Sequence, residues 1–166
     1  MNLTLRSTVL ALAAVTNFAM ADEGVVFREP YTLRLHQDKT HYVEYPVGKV
    51  PFVLNGSVFL FKDDYFGVNL DVQNGAVAAV KYLPSADAAD VSLRFTQSVK
   101  EDGSSMMLLE IVNRTKYTLM MNGVMVTPAG KGPVGTSIIP VQPGLVNFES
   151  WPHPIAQLVL TKLAIK

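Results

Sequence analysis

Three histidines and seven methionines are the side chains of this sequence best suited to hold a metal, and there is no cysteine. Met106, Met107, Met120, Met121 and Met125 crowd into one short stretch. Thioethers are soft ligands that select Cu(I), and imidazole suits copper and zinc. His36 and His41 flank an expected turn at Gln37–Thr40, which makes them near cross-strand neighbours. With Met121 and Met125 they form one candidate metal set. Three arguments weigh against it. Successive strand residues point to opposite faces, so Met106 and Met107 cannot meet at one ion. No M-x-M or H-x-M spacing occurs. Methionine also fills irregular cores well. The balance favours core methionines and exposed histidines, and no cofactor is expected.

Other chemistry-bearing groupings are weaker. Gly130-Lys131-Gly132-Pro133-Val134-Gly135 matches G-x-G-x-x-G. A dinucleotide site needs a helix after that loop, and Thr136-Ser137-Ile138-Ile139-Pro140 is not helical in type. A solvated loop carrying Lys131 is the expectation. Glu149-Ser150-Trp151-Pro152-His153-Pro154 contains a serine, a histidine and a carboxylate. Triad residues must converge with histidine in the middle, whereas prolines hold this run extended and point its side chains apart. No G-x-S-x-G elbow is present, and no acidic run fits a calcium loop. With cysteine absent, disulfides, thiolate zinc sites, iron–sulfur clusters and cysteine nucleophiles are excluded together. A non-enzymatic protein is expected. The structural reading is a rigid corner before the last strand, with Trp151 packed as a core anchor. The alternative, because Trp is enriched at interface hot spots, is a partner-contact surface of Trp151 with His153 and Lys131.

These groups sit in a chain of 166 residues with equal numbers of basic and acidic side chains, 14 each. The balance argues against nucleic acid, which is held by a surplus of basic charge. Met1–Ala21 has the order of a secretory signal: Arg6, the apolar run Val9–Val15, then the small-x-small site Ala19-Met20-Ala21. Cleavage after Ala21 is expected, with periplasmic export. The apolar run is far short of the ~20 residues a spanning helix needs, and no later segment reads as transmembrane. The sequons Asn55-Gly56-Ser57 and Asn113-Arg114-Thr115 read as ordinary turns.

Residues 22–166 alternate with period two, the signature of half-buried strands. Tyr31, Leu33 and Leu35 share one face, as do Val91, Leu93 and Phe95, and Val68, Leu70 and Val72. Asn55-Gly56 and Asn74-Gly75 accept the positive φ angles of type I′ turns and predict tight hairpins. With a third turn at Lys62-Asp63-Asp64 they predict a four-strand meander over 52–83. Asn122-Gly123 marks either a hairpin or, preferred, a bulge inside one strand over 117–127. Leu158–Ile165, apolar at both parities, predicts a central strand. Only Pro84–Asp90 reads as helical, a short turn capped by Ser85 and bridging two sheets. About nine or ten strands without βαβ spacing predict an all-β, antiparallel sandwich. One domain over 22–166 is preferred to two subdomains divided near 100–105, because halves of that size bury little core.

From Met106 onward the pattern resembles the immunoglobulin-like sandwiches of bacterial export systems. A strand ends in Ile111-Val112-Asn113-Arg114-Thr115, a second follows over Tyr117–Val126, and a proline-rich crossing leads to a long last strand. The resemblance implies an immunoglobulin-like fold. The basic pair and alternating strand of pilus chaperones are not found here, so no functional residue carries over. The expected function is binding of another protein or an envelope component, with the oligomeric state left open. The alternatives are a periplasmic copper carrier, and an enzyme acting on envelope glycans or peptides or its inhibitor.

Overall fold

The computed structural model describes residues 24–128, 130 and 132–166, so the expected signal segment and Lys131 lie outside the described residues. Among these, twelve strands follow one another: β1 Tyr31–His36, β2 Tyr42–Val47, β3 Val53–Leu54, β4 Ser57–Leu60, β5 Asp64–Gln73, β6 Ala76–Leu83, β7 Val91–Val99, β8 Ser105–Asn113, β9 Leu119–Val126, β10 Val134–Ser137, β11 Val146–Trp151 and β12 Gln157–Ile165. The protein is an all-β sandwich. One five-stranded antiparallel sheet has the order β10-β9-β12-β4-β3, the other β11-β8-β7-β5-β6, and β1 and β2 form a separate hairpin.

Alternation decides which face is buried. In β8, Met107, Leu109 and Ile111 are fully buried, while Met106, Leu108, Glu110 and Val112 between them are half-buried. Val58 and Leu60 of β4, Phe66 and Val68 of β5, Val91, Leu93 and Phe95 of β7, and Leu158 and Leu160 of β12 complete one core between the sheets. β12 is the central strand of its sheet, between β9 and β4. Its alternation would put Lys162 into the core after Leu160. A bulge between Thr161 and Ala164 prevents this. Lys162 takes a left-handed conformation (φ 53°), parity shifts by one, and Leu163 and Ile165 pack on the core instead.

The two Asn-Gly turns form as expected, joining β3 to β4 and β5 to β6 with positive φ at both residues. The expected meander does not form. β4 and β5 belong to different sheets, so Phe61–Asp63 is a corner that carries the chain across the sandwich. Alternation and turn type cannot distinguish a corner from a hairpin, because both need only a local reversal. Asn122-Gly123 lies inside the unbroken strand β9, and the bulge falls on its partner β12. The proposed subdomain division near 100–105 is the turn of the β7–β8 hairpin, where Val99 pairs with Ser105 inside one sheet.

Among the described residues the one helical segment is a 3-10 turn at Ala86–Ala88. Ser85 makes no side-chain capping bond there. The turn does not bridge the sheets. It links β6 to β7, which flank β5 in one sheet, and lies over the outer face of β5. Gly67 of β5 permits this approach: a Cβ there would stand 2.1 Å from Ala89 Cβ and 3.3 Å from the carbonyl oxygen of Val91. Arg114 ties the turn down, with Nη1 donating to Ser92 Oγ at 3.1 Å and to the Ala86 carbonyl at 3.3 Å. Gly67→Ala must displace the turn or the strand and is expected to cost about 1–3 kcal/mol of stability, read as a lower denaturant midpoint. An unchanged midpoint would show that the turn yields freely.

The β1–β2 hairpin has a small core of its own. Leu33, Leu35 and Val47 pack with Phe61, and Val50 and Ala156 lie against them. Gln97 of β7 fastens it to the sandwich, accepting from His36 N–H (3.0 Å) and donating to the His36 carbonyl (2.8 Å). The hairpin thus rests on β7 and on the corner residue Phe61 that follows β4.

Candidate functional site

The metal-set residues occupy different surroundings. Met121 is in the core and Met125 packs against it. His36 pairs with Tyr42 across the hairpin, ring centroids 5.8 Å apart. His41 belongs to the turn: its backbone N–H and its Nδ1 donate to Asp38 at 2.8 and 2.7 Å, and Thr40 N–H donates to the same carboxylate at 2.7 Å. The Thr40 amide first, then the amide and ring of His41, hold the Asp38 carboxyl below the usual carboxylate range. This is the Asx-turn chemistry that closes a hairpin. Among the described residues, no group of three or more His, Asp or Glu is placed to hold a metal ion, and no helix is long and apolar enough to cross a membrane.

Trp151 is a core residue, 7% exposed, and so is not itself a contact surface. It meets Phe95 edge to face at 6.3 Å, and its Nε1 donates to Thr136 Oγ1 of β10 at 3.1 Å. The indole therefore bridges the two sheets beside their β10 and β11 edges. His153 lies on the surface beyond it and lines a shallow depression of about 340 Å3 with Gln37, Thr127, Pro128 and Pro154. Its Nδ1 donates to the Pro154 carbonyl at 3.2 Å. Glu149 and Ser150 do not join it, because they are neighbours on β11 and point to opposite faces. The sequon at Asn113 is no exposed turn either: Asn113 is fully buried at the end of β8.

The surface feature that sequence reasoning passed over lies on the flank formed by β10, the crossing after it, and β11. Val134, Ile139, Leu145, Val146 and Phe148 are 47–62% exposed, and among the described residues they make up five of the nine large hydrophobic residues left exposed. All five fall within 15 consecutive residues. The signal was present in Val146-Asn147-Phe148-Glu149-Ser150-Trp151. A core Trp151 forces Val146 and Phe148, at the opposite parity, to face outward.

Polar contacts keep the flank in shape. Glu149 Oε1 accepts from the Ile139 N–H at 2.7 Å and from Asn147 Nδ2 at 2.9 Å. These bonds pin the crossing to the inner side of β11, so the apolar residues stand on a supported surface. Exposed apolar side chains scattered singly are ordinary, whereas Leu145, Val146 and Phe148 follow one another at the start of the same edge strand. Such a surface suits burial against another macromolecule better than turnover of a small substrate. Compared with known protein families, curated proteins and solved structures, the chain matches none.

Proposed function

We propose that this chain is an exported, non-enzymatic, immunoglobulin-like β-sandwich that binds another protein through its β10–β11 flank. The observation that carries the proposal is the cluster of Val134, Ile139, Leu145, Val146 and Phe148 on that one flank. Burial of apolar area drives association at roughly 25 cal/mol per Å2 before the costs of binding are subtracted. Placing five large apolar side chains in water within 15 consecutive residues is an arrangement that gains from a partner. The signal-like order of residues 1–21 supports export.

The test uses the full chain in its own envelope. A photo-reactive residue replaces Ile139 on the flank, and in a parallel sample Tyr65, which is also exposed but lies on β5. Protein adducts are expected from position 139 and not from 65, on a periplasmic chain whose mass begins at Asp22. Equal adducts from both positions, or none from 139, would overturn the flank. Retention of residues 1–21 on a cytoplasmic product would overturn export.

A further inference from the structure

The two five-stranded sheets have four edges, and three of them are protected. β3 is two residues long and is covered by the preceding segment: Phe27 bridges Pro51, and Phe52 N–H donates to the Val26 carbonyl. β6 carries Lys81, and a register shift against β5 interrupts it near Ala78. β10 is four residues long with Pro133 before it and Pro140 beyond it. Short strands, lysine, proline and bulges are the devices that stop edges from pairing with other chains. β11 has none of them. It runs six residues without proline, lysine or register shift, and Phe148 is 57% exposed. Its one charge, Glu149, faces inward and is bonded by the Ile139 N–H and by Asn147 Nδ2.

Its free hydrogen-bonding groups can be identified. Asn113 N–H donates to the Leu145 carbonyl at 3.0 Å, in the same register that pairs Val146 with Val112. In an antiparallel ladder, hydrogen-bonded pairs alternate along the strands. Asn147, Glu149 and Trp151 therefore spend their main-chain groups on β8. Val146, Phe148 and Ser150 direct theirs to the open edge, and the same three carry the exposed side chains.

We propose that β11 joins antiparallel to β11 of a second copy, with Phe148 on the two-fold axis. This inference rests on the flank reading and names its partner. In that register Phe148 faces Phe148 of the copy, and Val146 faces Ser150, so every outward main-chain group of the three residues is paired. The two Phe148 side chains meet on one face as a cross-strand aromatic pair, and Asn147 stands opposite Glu149. A shift by one residue toward the C-terminus sets Glu149 against Glu149, with like charges opposed. A shift the other way leaves Ser150 without a strand partner. Gly144 and Pro152 bracket the strand at equal distances from Phe148. The strand is thus self-complementary, as a closed two-fold contact requires.

The absence of cysteine gives a direct test. Opposed residues in a hydrogen-bonded antiparallel pair have Cβ atoms about 5.5 Å apart, too far for an unstrained disulfide but within reach of a short thiol-reactive cross-linker. Phe148→Cys is expected to give a cross-linked dimer with such a reagent. Ser150→Cys alone is not, but Ser150→Cys mixed with Val146→Cys is. Sedimentation of the otherwise unaltered chain should show a monomer–dimer equilibrium. Phe148→Pro should weaken it about tenfold or more without loss of folding, because the Phe148 N–H serves no bond to β8. Phe148→Lys, which brings two ammonium groups together, should do the same. Cross-linking of Ser150→Cys alone as readily as Phe148→Cys, or a chain monomeric at every concentration, would overturn the proposal. If adducts at position 139 then carried a different protein, the flank reading would stand and the second copy would fall. Absence of adducts would end both.

Discussion

Arg28→Ala is expected to remove about 3–5 kcal/mol of folding stability at neutral pH, the usual cost of stripping one partner from a buried ion pair. Arg28 is 5% exposed and pairs with Asp64, whose side chain is 14% exposed. It also donates to the Pro51 carbonyl at 2.9 Å and to the Phe59 carbonyl. Its guanidinium lies over Phe52 at 4.0 Å and over Phe61 at 5.0 Å from the ring centres. One residue of the leading segment thus joins β3, β4 and the corner before β5.

The pH dependence has a definite sign. Burial is the largest influence on Asp64 and raises its pKa above the ordinary value, while Arg28 and the Phe61 amide act to lower it. Without Arg28 its chief opposing influence is gone, so the carboxyl binds its proton more tightly when folded than when unfolded. A group raised in this way contributes most below its unfolded pKa of about 3.9 and loses that contribution as pH rises through the folded value. The deficit of Arg28→Ala is therefore expected to narrow in acid and widen toward neutrality. Denaturant unfolding at pH 4 and pH 8 reads it. A deficit independent of pH would show that Arg28 acts through its aromatic packing alone.

Asn113→Asp is the second large effect, expected to cost about 3 kcal/mol or more at pH 7. Asn113 is fully buried, and its amide is completely used. Nδ2 donates to the Tyr117 and Val141 carbonyls at 2.8 and 2.9 Å, and Oδ1 accepts from the Thr115 N–H and Oγ1 at 3.0 and 2.8 Å. One side chain fastens the β8–β9 connection to the start of the crossing that leads to β11. Aspartate keeps the shape but turns an oxygen toward two carbonyls and places a charge where water cannot reach it. The loss should be smaller at pH 4, where the carboxyl is protonated more readily. Asn113→Leu should cost less than aspartate at pH 7, since it brings in no charge. Equal stabilities of the wild type and Asn113→Asp at pH 7 would show that solvent enters the site.

The chain displays different parts of this architecture to different degrees. Strand alternation in Val91–Phe95, the paired turns at Asn55-Gly56 and Asn74-Gly75, and the central position of Leu158–Ile165 were legible because they depend on neighbours in sequence. The metal and contact candidates were less so. His36 and His41 read as exposed residues around a turn, with a metal pair as the alternative; that His41 bonds Asp38 three residues away rather than His36 is decided by the turn geometry. Trp151 suits a core anchor or an interface, and residue type alone cannot separate the two; the structure places it in the core. Arg28 and Asp64, 36 residues apart, carry no local mark of their pairing.

The sequence by itself determined an all-β chain, the places where it reverses and the parity that each strand presents. Those properties are local: two-residue alternation and the φ angles that glycine and asparagine tolerate. Tertiary structure alone decided that the chain crosses between sheets after β4, that Trp151 turns inward while Phe148 turns outward, and that β11 is left as the open edge. Each of these depends on which strand lies beside which, a choice made by burial of the whole core across distant segments.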